Sequence, residues 1–370
     1  MAKHQKHPPL LRSKIGFYHR SEWAIYGSDC ASIAMLFKAI QTELSGDYEL
    51  AYIDADHNTV SSSTLLQTKE KQFYFNSGLS WNEYDDKLLN WPVDSVIVNG
   101  NHYPAENQIV IIDSKKKESL LRRVEQLTNI DLVLLKDESS EIFDYVKEKI
   151  TSATPVLKIK STKAISDWFR SKITHEIPEL KALILAGGES KRMLEDKSKI
   201  SYNGDVSQVK YLAEMTNALG LDTFISKANN ATDEQIYGYP IIKDKFVNMG
   251  PFGAIASAFM KNPNVAYLVL ACDLPFVTKE SLSHLIDSRS SSQFATSYKL
   301  KSQAFPEPLL SIYEPRIYQR MLRLLSLGYA CPRKVLINSA VKIVDLEDES
   351  VAFNANTPED RDLAIGKLRK

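Results

Sequence analysis

The chain has 370 residues, of which 44% are hydrophobic and 25% charged, an ordinary composition for a globular protein whose length favours two domains over one. Lysine plus arginine and aspartate plus glutamate each total 46, so the formal net charge of +0 gives no reason to expect a nucleic-acid or membrane surface. The polar start MAKHQKHPPLLRSK lacks the apolar segment of a secretory signal, and no run approaches about 18 apolar residues, so we expect a cytoplasmic protein.

Short apolar runs of strand length alternate with amphipathic stretches of helix length along most of the chain. The predicted strands of the first half are Ala24–Tyr26, Leu50–Ile53, Ser95–Val98, Val110–Ile112 and Leu132–Leu135. Those of the second half are Ala182–Leu185, Thr223–Ile225, Pro240–Ile242 and Tyr267–Leu270. Apolar strands separated by helices are typical of parallel sheets that helices cover on both faces.

The first of these strands is followed by a turn and a helix. The turn is Gly27-Ser28-Asp29-Cys30, and the apolar positions of the helix are Ile33, Leu36, Phe37 and Ile40. This order predicts a P-loop-like α/β domain of nucleotide-binding shape. Residues 60–90 are rich in serine, asparagine and aromatic residues with weak periodicity, and we predict irregular structure there.

A domain boundary is predicted near Ser171–Pro178, where a polar segment with one proline precedes a new apolar strand. We therefore predict one domain over residues 1–175 and another over residues 180–370.

The cysteines Cys30, Cys272 and Cys331 form no C-x-x-C, which fits a reducing compartment rather than a thiolate metal site. The histidines, His57 and His102 among them, lack metal-ligand spacing, so we expect surface or core histidines.

A glycine-rich turn follows the strand Lys181–Leu185. Two adjacent glycines, Gly187 and Gly188, allow the backbone to approach a ligand closely. Cations follow at once, Arg192 and Lys197 among them, and ligands of open α/β sheets bind at the carboxyl ends of the strands. The segment therefore indicates a triphosphate site, against the alternative of a tight turn with solvated charges.

Two aspartates end predicted strands of the second half. Asp273 follows Tyr267–Leu270, and a carboxylate there is placed to hold Mg²⁺ near phosphates, the alternative being a turn or helix-capping residue. Asp244 follows Pro240–Ile242 and is a candidate for base or ribose contact, or again a turn residue. The glycine-rich segment 248–254 predicts a loop that opens a helix.

Several motifs of the second half together resemble the molybdenum cofactor guanylyltransferases, the MobA-type nucleotidyltransferases. The resemblance runs from about Ala182 to Ile365, and its motifs are LAGGESKRMLEDK, Asp244 followed by GPFGAIASA, CDLPF, Glu307-Pro308-Leu309 before Tyr313, and NANTPED at 354–360. The resemblance implies a Rossmann-like, GT-A-like three-layer sandwich that transfers GMP from GTP to molybdopterin with release of pyrophosphate.

The resemblance also implies site residues. The nucleotide would contact Leu185, Ala186, Gly187, Gly188, Lys197, Asn229, Asp244 and Asp273. Asp273 would hold Mg²⁺, Lys197 and Arg192 would act with it in catalysis, and Arg333, Lys334, Asn354 and Asn356 would line the pterin side. The chain departs from the family at Leu194, where glycine is usual, and at Lys227, where an asparagine often contacts the nucleotide.

The first half resembles the MobB-type GTP-binding adaptor that partners the guanylyltransferase. Val96–Gly100 and Gln108–Asp113 carry this likeness, but Gly27–Ser32 has no P-loop lysine and Asn99-Gly100 stands where Glu-Gly is usual. Without that lysine the β- and γ-phosphates lose their main cation. We therefore expect a degenerate domain that scaffolds or binds a partner.

The sequence leaves three other functions open. The enzyme alternatives are a cytidylyltransferase for the same cofactor and a sugar-phosphate nucleotidyltransferase. The non-enzyme alternative is a nucleotide-binding maturation factor for a molybdoenzyme, with that enzyme or its chaperone as a further partner. Under each reading we expect no nucleic-acid or membrane partner.

Overall fold

The computed structural model describes residues 9–56, 63–67, 72–75, 82–137, 141–187, 199–202, 204 and 206–369, and only the backbone at 56, 63–67 and 72–75. The chain divides into two compact units. The first unit is Lys14–Ile177, and the second is Pro178–Lys370 together with the segment that ends at Ser13. Among the described residues, no helix is both long and apolar enough to cross a membrane.

The first unit is built on one sheet. Its strands are β1 (Glu22–Tyr26), β2 (Leu50–Asp56), β3 (Ser63–Gln67), β4 (Gln72–Phe75), β5 (Ser95–Asn99), β6 (Asn107–Ile112), β7 (Ile130–Leu135) and β8 (Val156–Lys158). Its helices are α1 (Cys30–Leu44), α2 (Glu83–Asn90), α3 (Lys117–Leu121), α4 (Asp144–Lys147) and α5 (Thr162–His175). The strand order is β4-β3-β2-β5-β1-β6-β7-β8, with β2, β5, β1, β6, β7 and β8 parallel.

The prediction of irregular structure over residues 60–90 is wrong. Strand β3 pairs antiparallel with β2, and β4 pairs antiparallel with β3, so this segment extends the sheet at its edge. Helix α2 then begins at a capping box in which Asn82 and Asp85 satisfy each other's backbone N–H groups. Strands near the edge of a sheet need not carry the continuous apolar pattern of buried central strands, which is the pattern that the prediction relied on.

The second unit also contains one sheet in its described part. Its strands are β9 (Leu180–Leu185), β10 (Thr223–Lys227), β11 (Gln235–Ile236), β12 (Tyr239–Lys243), β13 (Ala266–Ala271), β14 (Ala295–Lys299), β15 (Pro306–Tyr313) and β16 (Val341–Asp345). Its helices are α6 (Gln208–Ala218), α7 (Gly250–Lys261), α8 (Lys279–Asp287), α9 (Arg316–Ser326), α10 (Pro332–Ile337) and α11 (Pro358–Leu368). The order is β11-β12-β10-β9-β13-β15-β14-β16, in which β12, β10, β9 and β13 are parallel and β15 runs antiparallel to β13.

Alternate residues of the central strands pack into cores on opposite faces of each sheet. In β9, Ile184 belongs to a core with α6 and α8, whereas Leu183 and Leu185 belong to a core with α7, α9 and α10. In β1, Ala24 and Tyr26 face one core while Trp23 and Ile25 face another with α1 and α5. This alternation confirms the predicted three-layer α/β arrangement, and every strand predicted above is present.

Candidate functional site

The carboxyl ends of four parallel strands form one edge of the second unit's sheet. Across that edge the order is β12, β10, β9 and β13, with Leu185 opposite Ser226 on one side and Ala271 on the other. Backbone hydrogen bonds continue past the strand ends, from Ala186 N to Ser226 O at 3.1 Å and from Cys272 N to Leu185 O at 3.3 Å. The residues after each strand are therefore held side by side.

The turn after β9 brings two backbones close together. Ala186 is buried and Gly187 is exposed. A Cβ atom on Gly187 would lie 3.1 Å from Ala228 N and 3.4 Å from Lys227 Cα, a contact tighter than side chains normally make. Glycine thus lets the β9 turn lie flat against the end of β10.

Asp244 is a half-buried carboxylate at the end of β12. Its amide donates to Lys227 O at 2.9 Å, and its carboxylate accepts a hydrogen bond from Ser226 Oγ at 2.7 Å. Burial raises the pKa of Asp244 to about 6, and the bond from Ser226 opposes that rise. Asp244 therefore changes charge just below neutral pH, which is uncommon for an aspartate that serves only a turn.

Asp273 lies in the turn that follows β13. Helix α8, which comes next, is capped by Thr278 in a capping box, so Asp273 is not its N-cap. The carbonyl of Asp273 accepts from Ala355 N at 2.9 Å, which ties this turn to the segment 354–356. From Asp244 to Asp273 the edge spans three interstrand spacings, roughly 14 Å, which is the length scale of an extended nucleoside triphosphate.

A buried carboxylate that the sequence reasoning left without a role lies beside Asp273. Glu307 is near the start of β15, whose antiparallel course brings that start to the same edge, and it accepts from Leu309 N at 3.2 Å. Burial raises the pKa of Glu307, the Leu309 amide and Arg333 oppose the rise, and the Asp273 charge adds to it. The motif Glu307-Pro308-Leu309 was a visible signal, because a glutamate inside an otherwise apolar strand requires a partner.

Arg333 provides that partner. Its Nη2 lies 3.5 Å from Glu307 Oε2, and its side chain remains 44% exposed. Lys334 is the next residue of α10, about 100° further round a helix, and its Nζ lies 4.6 Å from the centre of the Tyr329 ring. Of the two predicted pterin-side cations, the structure places Arg333 beside the carboxylates and Lys334 over an aromatic ring.

The motif at 354–360 contains the residues that cap α11 and two asparagines that precede the cap. Thr357 caps α11 in a capping box with Asp360, and Pro358 occupies the first turn. Asn354 is half-buried and Asn356 exposed, and both precede the cap. Ala355, which lies between these two asparagines, holds them next to Asp273, and the backbone N–H of Asn356 donates to Asp360 at 3.0 Å.

The remaining predicted residues fall in two groups. Asn229 is exposed after β10 and accepts from Lys245 Nζ at 3.4 Å. Gly188, Arg192, Leu194 and Lys197 lie outside the described residues, as does His57.

Tyr202 is a buried neighbour of this edge that sequence reasoning missed. Burial and the charge of Asp273 raise its pKa, and its hydroxyl makes no hydrogen bond within the described residues. It packs in a small core with Ala355 and Ala364. No motif distinguishes it in the sequence, because its position depends on contacts with a segment far along the chain.

Comparison with known proteins finds relatives for the second unit. Residues 182–342 match the MobA-like NTP transferase domain. A molybdenum cofactor biosynthesis bifunctional protein of Synechocystis is 29% identical over 49% of this chain and 52% of its own length, so the chain matches about half of that relative. A probable molybdenum cofactor guanylyltransferase of Carboxydothermus hydrogenoformans is 28% identical over 49% of this chain and 92% of its own length.

Among solved structures, molybdopterin-guanine dinucleotide biosynthesis protein A from Archaeoglobus fulgidus aligns with 51% of this chain and 98% of its own length. The identity is 22% and the TM-score 0.44. By the family model alone, residues 182–342 form a MobA-like NTP transferase domain, as the sequence motifs predicted.

Proposed function

We propose that the MobA-like NTP transferase domain of this chain transfers GMP from GTP to molybdopterin, the pterin of the molybdenum cofactor, and releases pyrophosphate. The observation that carries the proposal is the row of groups along one sheet edge: Asp244, Gly187, Asp273 and the Glu307–Arg333 pair. A base, a triphosphate and an acceptor phosphate need such a row, in that order.

The base end of the row is Asp244. Guanine presents two neighbouring N–H donors, and an ionised carboxylate accepts from both. Ser226 orients the Asp244 carboxylate at 2.7 Å, so its acceptor direction is fixed before the nucleotide binds. Cytosine presents its donor and acceptors in a different pattern, and this difference supports GTP over CTP.

The reacting end of the row lies between β13 and β15. A phosphate oxygen of molybdopterin attacks the α-phosphorus of GTP, a new P–O bond forms, and the bond to the β-phosphate oxygen breaks as pyrophosphate leaves. The attacking oxygen is ionised at neutral pH, so catalysis requires positioning and charge neutralisation more than a strong base. Arg333 would hold the acceptor phosphate, and Asn354 and Asn356 would orient the pterin.

A divalent cation fits this end of the edge. Asp273 and Glu307 bring two carboxylates near one another, and hard oxygen donors of this kind suit Mg²⁺. Asp273 would hold the ion, which when bound neutralises charge on the phosphate oxygens. Lys197, by the family resemblance, would neutralise the leaving pyrophosphate.

The test is pyrophosphate release by the full chain from GTP, CTP, UTP and ATP, each with and without molybdopterin. We expect release from GTP that requires both molybdopterin and Mg²⁺. Preferential use of CTP would replace the guanylyltransferase with a cytidylyltransferase. Pyrophosphate release with a sugar phosphate in place of molybdopterin would identify the sugar phosphate as the acceptor. No release with any pair of substrates would favour a nucleotide-binding maturation factor over an enzyme.

A further inference from the structure

Three side chains with different metal-binding atoms meet at the edge of the first unit's sheet. Cys30 begins α1 directly after the β1 turn, Asp54 lies in β2, and His102 follows β5. Strands β2, β5 and β1 are parallel neighbours, with Ile53 opposite Val98 and Ile25 opposite Asn99. Their carboxyl ends share the edge at which open α/β sheets bind ligands.

We propose that Cys30, Asp54 and His102 bind a zinc ion. Cys30 Sγ lies 3.2 Å from His102 Nε2, His102 Nε2 lies 3.7 Å from Asp54 Oδ1, and all three donor atoms lie within 4.8 Å of one another. Tetrahedral zinc with bonds of about 2.3 Å to sulfur and about 2.0 Å to nitrogen and oxygen separates sulfur from nitrogen by roughly 3.6 Å and nitrogen from oxygen by roughly 3.3 Å. The donor atoms therefore already stand close to the positions that zinc requires.

One ring nitrogen of His102 faces both other groups. Nε2 carries at most one proton, so it cannot donate a hydrogen bond to the Cys30 sulfur and the Asp54 carboxylate at the same time. A metal ion can accept all three as ligands. Asp54 Oδ1, at 3.7 Å, is beyond hydrogen-bonding distance of that nitrogen, so hydrogen bonds alone do not account for the convergence of the three groups, whereas a shared cation does.

The charge of Asp54 points the same way. Its carboxylate is buried, and it accepts from three neutral donors at 2.8 Å each: Tyr52 Oη, Asn99 Nδ2 and Ala55 N. Among the described residues, His102 is its only ionic partner within 4.0 Å. A buried carboxylate needs a compensating positive charge, which a divalent cation supplies.

Neighbouring amides hold the ligands in place. Asn99 donates to Asp54, and its own Oδ1 accepts from Asn101 N at 3.0 Å. The Asn101 side chain donates to Ser28 O at 2.9 Å and lies 3.8 Å from Cys30 Sγ. Hydrogen bonds of this kind orient metal ligands in proteins and strengthen metal affinity.

The α1 N-terminus is not organised for phosphate in this unit. Asp29 caps the helix and accepts from Ser32 N and Ser32 Oγ, both at 2.9 Å. Its carboxylate therefore places a negative charge where a P-loop would hold phosphate oxygens. The turn is nevertheless fixed, because Gly27 has φ of +89° and a Cβ there would lie 2.1 Å from Ile111 O.

The donor set selects the metal. A thiolate and an imidazole favour zinc over the hard cations Mg²⁺ and Ca²⁺. Three protein ligands leave the fourth position open, as in zinc sites that bind water or substrate. A cavity of about 720 Å³ reaches His102 and one of about 210 Å³ reaches Cys30, and Asn101 and Arg123 line both. These cavities give water or a small anion access to the ligands, so water or an anion is the expected ligand of the fourth position.

The test uses the full-length, metal-free protein with excess Mg²⁺ present, so that hard oxygen sites are already filled. Zn²⁺ is titrated against a chromophoric chelator, and Co²⁺ is added separately as a spectroscopic probe. We expect one Zn²⁺ per chain, and a Co²⁺ spectrum with a thiolate charge-transfer band and the intense visible bands of four-coordinate cobalt. Cys30→Ser, Asp54→Asn and His102→Gln should each weaken Zn²⁺ binding at least tenfold, and Cys30→Ser should remove the charge-transfer band.

Two substitutions serve as matched controls. Cys331→Ser removes a thiol from the second unit, and His175→Gln removes an exposed imidazole at the end of α5. Both should bind Zn²⁺ as the wild type does, and circular dichroism checks that each variant is folded. Zn²⁺ should also raise the melting temperature of the wild type but not of His102→Gln. The proposal fails if the wild type takes up no Zn²⁺, or if the three ligand variants bind it as tightly as the controls.

Discussion

The two units of this chain present the same kind of sheet edge with different chemistry. In each, polar side chains follow the carboxyl ends of adjacent parallel strands. The second unit places hard oxygen donors, Asp244, Asp273 and Glu307, along that edge. The first unit places a thiol, an imidazole and one carboxylate together. Parallel topology therefore fixes where a ligand binds, while the residues at the strand ends determine which ligand it is.

The turns after β1 and after β9, the first strand of each unit, also differ in charge and in backbone structure. In the second unit, Gly187 lies against β10 and is exposed among the described residues. In the first unit, Asp29 caps α1 with its own carboxylate and brings negative charge to the edge. A nucleotide would meet an open backbone in one unit and an anion in the other. The comparison predicts nucleotide chemistry at the second unit alone.

The substitution with the largest expected effect tests whether the sheet edge of the second unit depends on a hard cation. Asp273→Asn keeps the shape of the side chain but removes its charge, and Mg²⁺ binds an amide oxygen more weakly than a carboxylate. We expect turnover at least ~100-fold lower, equivalent to about 2.7 kcal/mol of transition-state stabilisation, with partial recovery at high Mg²⁺. Steady-state pyrophosphate release measures this loss.

A nearby structural substitution is the matched control. Thr278→Ala removes the cap of α8, which costs about 1 kcal/mol of stability, and should leave turnover within about twofold. Melting temperature and turnover on the same preparations then separate the two roles. Near-normal turnover in Asp273→Asn, or a loss of stability without a loss of rate, would remove Asp273 from the site.

The next substitution tests whether the Glu307–Arg333 pair binds the acceptor phosphate. Arg333→Ala removes a charge-assisted contact to the acceptor phosphate, worth about 2 kcal/mol, so we expect the KM for molybdopterin to rise about 30-fold. The KM for GTP should stay the same, because the base end of the edge is untouched. The control is Arg323→Ala, an exposed arginine on α9. Equal rises in both KM values would instead indicate a general distortion.

The sequence predicts the sheets well because buried parallel strands are apolar throughout. Val96–Val98 and Leu268–Leu270 are completely buried, and such runs stand out without any knowledge of their partners. The prediction of irregular structure over residues 60–90 was wrong because strands near the sheet edge lack that pattern. The Asn82–Asp85 capping box was nevertheless a sequence signal for the start of a helix. The motif residues Gly187, Asp244 and Asp273 could be named because each lies within two residues of the end of an apolar strand.

The pairings that the sequence does not reveal are contacts between distant segments. Arg333 meets Glu307 across β15 and α10, and Cys30 meets Asp54 and His102 across three strand ends. No local spacing encodes either meeting, so a search for C-x-x-C or paired histidines passes over Cys30 and His102. Strand order, which the sequence leaves open, is what brings β1, β2 and β5 together.

The smallest expected effect is a pH dependence that belongs to the base end of the second unit's edge. Burial raises the pKa of Asp244 to about 6, so the carboxylate is ionised at pH 7 and about a tenth ionised at pH 5. Only the ionised form accepts from both guanine N–H donors, hence affinity should be constant above pH 7 and fall as the pH drops through 6.

Guanosine is the suitable probe, because it has no phosphate that titrates in this range. Calorimetry between pH 5 and pH 8 should give wild-type binding about tenfold weaker at pH 5 than at pH 7. Asp244→Asn should bind weakly with no such slope, since its amide does not titrate. A wild-type profile that stays flat, or an identical slope in the Asp244→Asn variant, would assign the guanine contact to another group.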